Sequence, residues 1–261
     1  MKAKKRSDRR KLKRGIYVLP NLLTSANLFC GFFAIVAATQ GHFFKSAIAI
    51  MIAALFDGLD GKIARVTRTV SRFGLEYDSL SDAVSFGVAP GLLVYLWALE
   101  PFGRLGWLAA LLFVACGTLR LARFNTQVHV VRSDYFNGLP IPAAAFMIAT
   151  TVLLLYRFGG TGTTQHVTIL IMIYALSFLM VSTIKYYSFK QVGFFKKMKF
   201  NMLVVVVLLF VVIAAEPSIA CFIIMLCYVL SGPFTTLWLR KRSQSEGAAG
   251  EELGTAYEKT V

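Results

Sequence analysis

The sequence predicts an all-α membrane protein with about eight transmembrane helices. Three observations carry that expectation: a surplus of apolar residues, their gathering into runs of membrane length, and a lopsided placement of basic residues. Of 261 residues, 57% are apolar and only 16% charged, whereas a soluble domain of this size carries about 25% charged residues. The surplus needs lipid to face. Spanning the bilayer core takes about 20 apolar residues in a helix.

Runs of that kind fall in order at Tyr17–Thr39, Phe43–Arg65, Gly74–Leu99, Leu105–Phe124, Leu139–Tyr156, Val167–Thr183, Phe200–Ala215 and Ser218–Leu239. The first follows a basic stretch and is too long for a signal-peptide core, so it reads as a retained helix. The second and third are the hardest to divide, because charged residues sit at their junction. The organisation expected is a basic cytoplasmic segment over residues 1–16, one transmembrane domain over 17–239, and a Gly-, Ala- and Glu-rich disordered tail over 240–261. Cys30, Cys116, Cys221 and Cys227 all fall in apolar runs and read as buried small hydrophobes. The three histidines show no metal-ligand spacing and read as solvated or interfacial.

With both ends on the cytoplasmic side, 25 of the 28 Lys and Arg residues fall there, and only Lys45, Arg104 and Arg157 lie opposite. Such asymmetry follows the positive-inside rule and favours an even number of spans. The net charge of +15 is therefore a topology signal and a contact for anionic lipid head groups. It argues against nucleic acid as a partner.

Acidic residues number 13 in the whole chain, and five lie between Asp57 and Asp82. Asp57 and Asp60 are three apart, Asp78 and Asp82 four apart, so each pair shares a helical face. A short polar and basic turn between the two helices lets the faces confront each other at the inner edge of the membrane. Glu76 is off that face. Four clustered carboxylates repel one another in a low-dielectric setting, and intramembrane acids are costly and usually functional. Divalent cations with a taste for hard oxygen ligands, Mg²⁺ or Mn²⁺, relieve the conflict, and two of them together clamp phosphoryl oxygens. Gly61 and Gly74 leave room for a ligand to approach the backbone, and Arg65 offers a planar fork for phosphate. An ion-coupled transporter is the alternative of another class, but no internal repeat supports it.

The segment fits D-x2-D-G-x2-A-R-x8-G-x3-D-x3-D through Asp57, Asp60, Gly61, Ala64, Arg65, Gly74, Asp78 and Asp82. It resembles the signature of the CDP-alcohol phosphatidyltransferase family. The resemblance implies a core of six membrane helices with a site open to the cytoplasm, the last two spans being an addition. It further implies two divalent metals, Mg²⁺ or Mn²⁺, held by Asp57, Asp60 and Asp78 with Asp82 nearby. Asp82 matches the family's general base. Gly61, Ala64, Arg65 and Gly74 would line the nucleotide pocket, joined by Asn21 and Thr24 of PNLLT. Read from its residues alone, Asn21 after Pro20 is a helix cap. Homodimers and an inner-membrane location are the family expectation.

PNLLTSANLFCGFFAI, DSLSDAVSFGVAP, LRLARFN and FNGLPIPAAA resemble the integral-membrane branch of the family that makes phosphatidylserine. The resemblance implies CDP-diacylglycerol and L-serine as substrates. In the branch using glycerol phosphate an arginine commonly stands three residues after the matched threonine, where this chain has Asn27. Choline, glycerol phosphate and inositol phosphate remain the other acceptors this chemistry allows. Arg120 and Arg123 share a face near the cytoplasmic end of the fourth span and are the candidates for gripping a serine carboxylate, beside a Gly138–Leu139–Pro140 turn.

Overall fold

The computed structural model describes residues 2–67, 71–127, 135–160, 166–187 and 215–236. Helices α1 (Lys2–Thr39) and α2 (Phe43–Thr67) form an antiparallel pair joined by a tight turn at Gly41, whose φ is 76°. α3 (Arg72–Phe102) and α4 (Arg104–Thr126) follow, separated by Gly103 at φ 56°. Then come a strand β1 (Tyr135–Asn137), α5 (Ile141–Arg157), α6 (Val167–Val181), a strand β2 (Lys185–Tyr187) and α7 (Pro217–Thr236). These seven helices coincide with seven of the predicted runs; the eighth, Phe200–Ala215, lies outside the described residues apart from Ala215.

Four of the described helices are long and apolar enough to cross a membrane: Leu19–Thr39 within α1, then α3, α4 and α7. α5 and α6 are shorter but apolar. α2 has 25 residues, but its apolar run is interrupted by Lys45, Asp57, Asp60, Lys62 and Arg65. Outward faces are lined by large apolar side chains such as Phe29, Phe32, Leu111, Phe178 and Phe234, all exposed. That is the pattern of a protein solvated by lipid.

α5 is the central helix. From Ala144 to Leu153 it is buried on every side but for Phe146, as expected of a helix that is apolar all round. Ile148 packs into a core that includes Ile50, Phe86, Leu93, Trp97, Phe113 and Ile173, each nearly inaccessible.

Two features depart from expectation. The β1–β2 pair is an antiparallel ribbon, with Phe136 opposite Tyr186. Gly138, at φ 82°, donates its N–H to the Ile184 carbonyl at 2.8 Å, and Leu139 donates to the Leu179 carbonyl at 3.0 Å. A side chain at Gly138 would run into the Met180 carbonyl oxygen. The ribbon and these two bonds thus pair backbone groups that the helices leave over. α1 also runs unbroken through Pro20, so Asn21 is an interior residue and its reading as a helix cap is corrected. Proline costs an interior hydrogen bond. Nearby, Thr24 and Ser25 hydroxyls back-bond to the Pro20 and Asn21 carbonyls at 3.1 and 2.9 Å.

The cysteines are free, as expected, but only partly fit their reading as buried hydrophobes: Cys30, Cys116 and Cys221 are half-buried and Cys227 is exposed on α7.

Candidate active site

α1 is the strut that brings the acidic helices together. Asn21, Thr24, Asn27 and Gly31 recur at three- and four-residue spacing and so share one face. Each meets a different part of α2 or α3. The Thr24 hydroxyl donates to Asp60 Oδ2 at 2.9 Å, and Asn27 Nδ2 donates to Asp82 Oδ1 at 3.0 Å. A Cβ on Gly74 would stand 3.4 Å from Asn21 Oδ1. One on Gly31 would collide with Ser85, whose hydroxyl donates to the Asn27 carbonyl at 3.0 Å. Beside this stripe, Ser25 Oγ and the Tyr77 hydroxyl lie 2.9 Å apart.

On α2, Asp57 and Asp60 face the start of α3. Ser71 caps that helix by accepting the Gly74 N–H at 3.0 Å, the usual role of a serine at this position. The cap fixes the first turn and hence the direction of Asp78. One carboxylate oxygen each from Asp57, Asp60 and Asp78 can be chosen so that all lie within 4.8 Å of one another. Asp60 is 3% exposed, and Asp78 Oδ1 is buried with no hydrogen-bond partner among the described residues. Three converging hard oxygen donors with one left unsatisfied suit a divalent cation of the Mg²⁺ or Mn²⁺ class. Glu76 is exposed and apart.

Asp82 is not part of that tight trio. It lies one turn deeper on α3, 8% exposed, held by Asn27. Immediately after it the helix widens to π-type winding over Ala83–Val88, with the Ala89 N–H reaching back to the Val84 carbonyl. Such insertions often accompany functional sites.

Arg65 folds back over its own helix, Nε donating to the Gly61 carbonyl at 2.7 Å. A Cβ on Gly61 would meet nothing nearer than Arg65 Nη2 at 3.9 Å, so open space and an exposed guanidinium adjoin the trio. Ala64 is half-buried on the same helix. On α4, Arg120 Nε is buried and without a hydrogen-bond partner among the described residues, within Coulombic reach of Asp82 and of Tyr228 on α7. Arg123 is half-buried, and no described contact ties it to the acidic group. Asn125 Nδ2 donates to Ser79 Oγ at 2.9 Å, fastening α4 to α3.

Asn27, hydrogen-bonded to Asp82, drew no site role from the sequence. Its signal was available: a polar residue three places after Thr24 inside an apolar span, where polar groups are expensive.

A profile of the CDP-alcohol phosphatidyltransferase family matches residues 17–181. Among curated proteins, the chain is 37% identical over 224 residues to a CDP-diacylglycerol–serine O-phosphatidyltransferase of Helicobacter pylori, covering 86% of this chain and 93% of that one. It is 32% identical to the protein of the same name from Mycobacterium tuberculosis, over 85% of this chain and 80% of the relative. It is also 39% identical to an archaetidylserine synthase of Methanothermobacter thermautotrophicus, over 64% and 69% of the two chains. A multi-pass helical body, an aspartate trio suited to a cation and this extent of matching converge on one assignment: the chain belongs to the CDP-alcohol phosphatidyltransferase family.

Proposed function

We propose that the protein transfers the phosphatidyl group of CDP-diacylglycerol to the hydroxyl of L-serine, yielding phosphatidylserine and CMP. The observation that carries the reaction class is the convergence of Asp57, Asp60 and Asp78 with a fourth carboxylate, Asp82, held separately beside them. The acceptor follows from the relatives, two of which are named for serine and match most of this chain.

Asp57, Asp60 and Asp78 would hold the divalent metal, two ions of Mg²⁺ or Mn²⁺ with Asp82 at the edge of the second. When bound, the metal supplies positive charge against the pyrophosphate oxygens. The chain's own residues do the rest. Asn21, Thr24, Gly61, Ala64 and Gly74 border the nucleotide, and Arg65 places its guanidinium beside the phosphates. Asp82 takes the proton of the serine hydroxyl as that oxygen bonds to the lipid-side phosphorus. The phosphorus–oxygen bond to CMP breaks, and CMP leaves with the electron pair. Arg120, with Arg123 beside it, meets the serine carboxylate; the unsatisfied Arg120 Nε supports that placement.

The reading includes an inner-membrane enzyme with both termini and the site on the cytoplasmic side, supported by the distribution of Lys and Arg. Residues 17–239 form its single catalytic domain, flanked by the basic segment 1–16 and the tail 240–261, and it works as a homodimer. The test is acceptor identity. Purified protein given CDP-diacylglycerol and labelled serine, choline, glycerol phosphate or inositol phosphate should make lipid product with serine. Product with another alcohol and none with serine would refute the acceptor; no CMP release with any would refute the reaction class.

A further inference from the structure

Serine carries two charges that a selective site must meet, and Arg120 answers only one. The other requirement is an acceptor for the ammonium close to Asp82, because the hydroxyl that Asp82 serves is only two bonds from the carbon bearing nitrogen. Asn27 offers it. Its side chain is fully buried on α1, and Nδ2 is spent on Asp82 Oδ1 at 3.0 Å. Its Oδ1 is buried with no partner among the described residues. The backbone there is pinned by the hydroxyl of Ser85, which is itself pressed against Gly31. Buried carbonyl oxygens are seldom left unpaired. Asp82 is thus flanked by an unfilled acceptor on α1 and an unfilled donor, Arg120 Nε, on α4.

We propose that the Asn27 side-chain carbonyl accepts a hydrogen bond from the serine ammonium while Arg120 takes the carboxylate, making Asn27 a specificity-determining residue. The inference rests on serine as the acceptor. It explains why one residue both steadies Asp82 and selects the alcohol that Asp82 deprotonates. A site built to hydrogen-bond a substrate N–H discriminates strongly against an analogue lacking it.

The experiment compares kcat/KM at saturating CDP-diacylglycerol for L-serine, for 3-hydroxypropanoate (no ammonium) and for ethanolamine (no carboxylate). Wild type should favour serine over both analogues. In Asn27→Ala the preference for serine over 3-hydroxypropanoate should fall by about 10–100-fold, the equivalent of a hydrogen bond to a charged group, while serine and ethanolamine fall together. Asn27→Asp keeps an acceptor oxygen but removes the donor to Asp82. It should lose turnover on all three alcohols yet retain the preference for an ammonium. Arg120→Ala should show the reverse selectivity, sparing ethanolamine. An unchanged KM for CDP-diacylglycerol verifies folding, and Asn27→Leu, closer in volume, replaces Asn27→Ala if the latter does not fold. Equal loss on all three alcohols in the alanine or leucine variant would overturn the proposal and leave Asn27 as a support for Asp82 alone. A wild-type enzyme that ignores serine would overturn the acceptor reading beneath it.

Discussion

Replacing Thr24 with valine separates two roles that a single hydroxyl is asked to play. By family resemblance Thr24 borders the nucleotide, yet its hydroxyl lies 2.9 Å from Asp60 Oδ2 and 3.1 Å from the Pro20 carbonyl. One proton serves both acceptors, and the shorter contact to the carboxylate takes the larger share. Thr24 and Asp60 are 4% and 3% exposed, so water does not readily replace the missing donor. Valine keeps the branched shape and deletes the donor. A hydrogen bond to a charged group contributes about 1.5–3 kcal/mol, and outer-shell partners of metal ligands contribute roughly 10–100-fold in metal affinity. The two estimates agree. Thr24→Val should therefore raise the half-saturating Mn²⁺ concentration about 10–100-fold, with kcat at saturating metal changed only a few-fold. The assay is CMP release against metal concentration at fixed CDP-diacylglycerol and serine. An unchanged metal requirement with a raised KM for CDP-diacylglycerol would refute the reasoning and return Thr24 to the nucleotide.

Other outcomes follow from the same geometry. Asp82→Asn should lower kcat by about 10²–10⁴-fold, the usual contribution of a general base, while Mn²⁺ and CDP-diacylglycerol still bind; undiminished CMP release would remove Asp82 from that role. Gly31→Ala drives a methyl group into Ser85 and should cost about 1–3 kcal/mol by overpacking, read as a lower Tm; an unchanged Tm would show that α1 and α3 separate freely there. At the opposite end of the bundle, Arg157 holds Glu216 in a two-pronged ion pair with N–O distances of 3.1 and 2.8 Å. Those hydrogen bonds and the guanidinium charge keep the Glu216 carboxyl below the usual glutamate range. A lowered carboxylate stabilises the fold above its ordinary value, and that stabilisation is lost as pH falls through the lowered one. Glu216→Gln should thus reduce Tm slightly at neutral pH, the difference vanishing in acid and shrinking in high salt. A difference that persisted in acid would contradict the pairing.

Much of this architecture was readable in one dimension. Hydropathy marks the spans because lipid imposes the same requirement on every outward face, and Asp57, Asp60, Asp78 and Asp82 stand out because acids in such surroundings are rare. What escaped depends on partners distant in sequence. The β1–β2 ribbon has only three residues per strand, too few for alternation to register, and it forms because Gly138 meets Ile184 across α5 and α6. The unbroken passage of α1 through Pro20 was hidden for a similar reason, since a proline beside an asparagine reads locally as a helix start. Asn27 looked like a branch marker until its contact with Asp82 gave it a physical role. The trio of Asp57, Asp60 and Asp78, with Asp82 one turn on, was foreseen; the tie of Asp82 to Asn27 on α1 emerged only from the packed structure.

Under the proposed function, the converging carboxylates of Asp57, Asp60 and Asp78 make the reaction depend on a divalent cation. CMP release from CDP-diacylglycerol and serine, measured on chelator-stripped protein in detergent, tests it most directly. Activity should be absent after stripping and return on adding Mg²⁺ or Mn²⁺. Full CMP release by the stripped protein would refute that dependence.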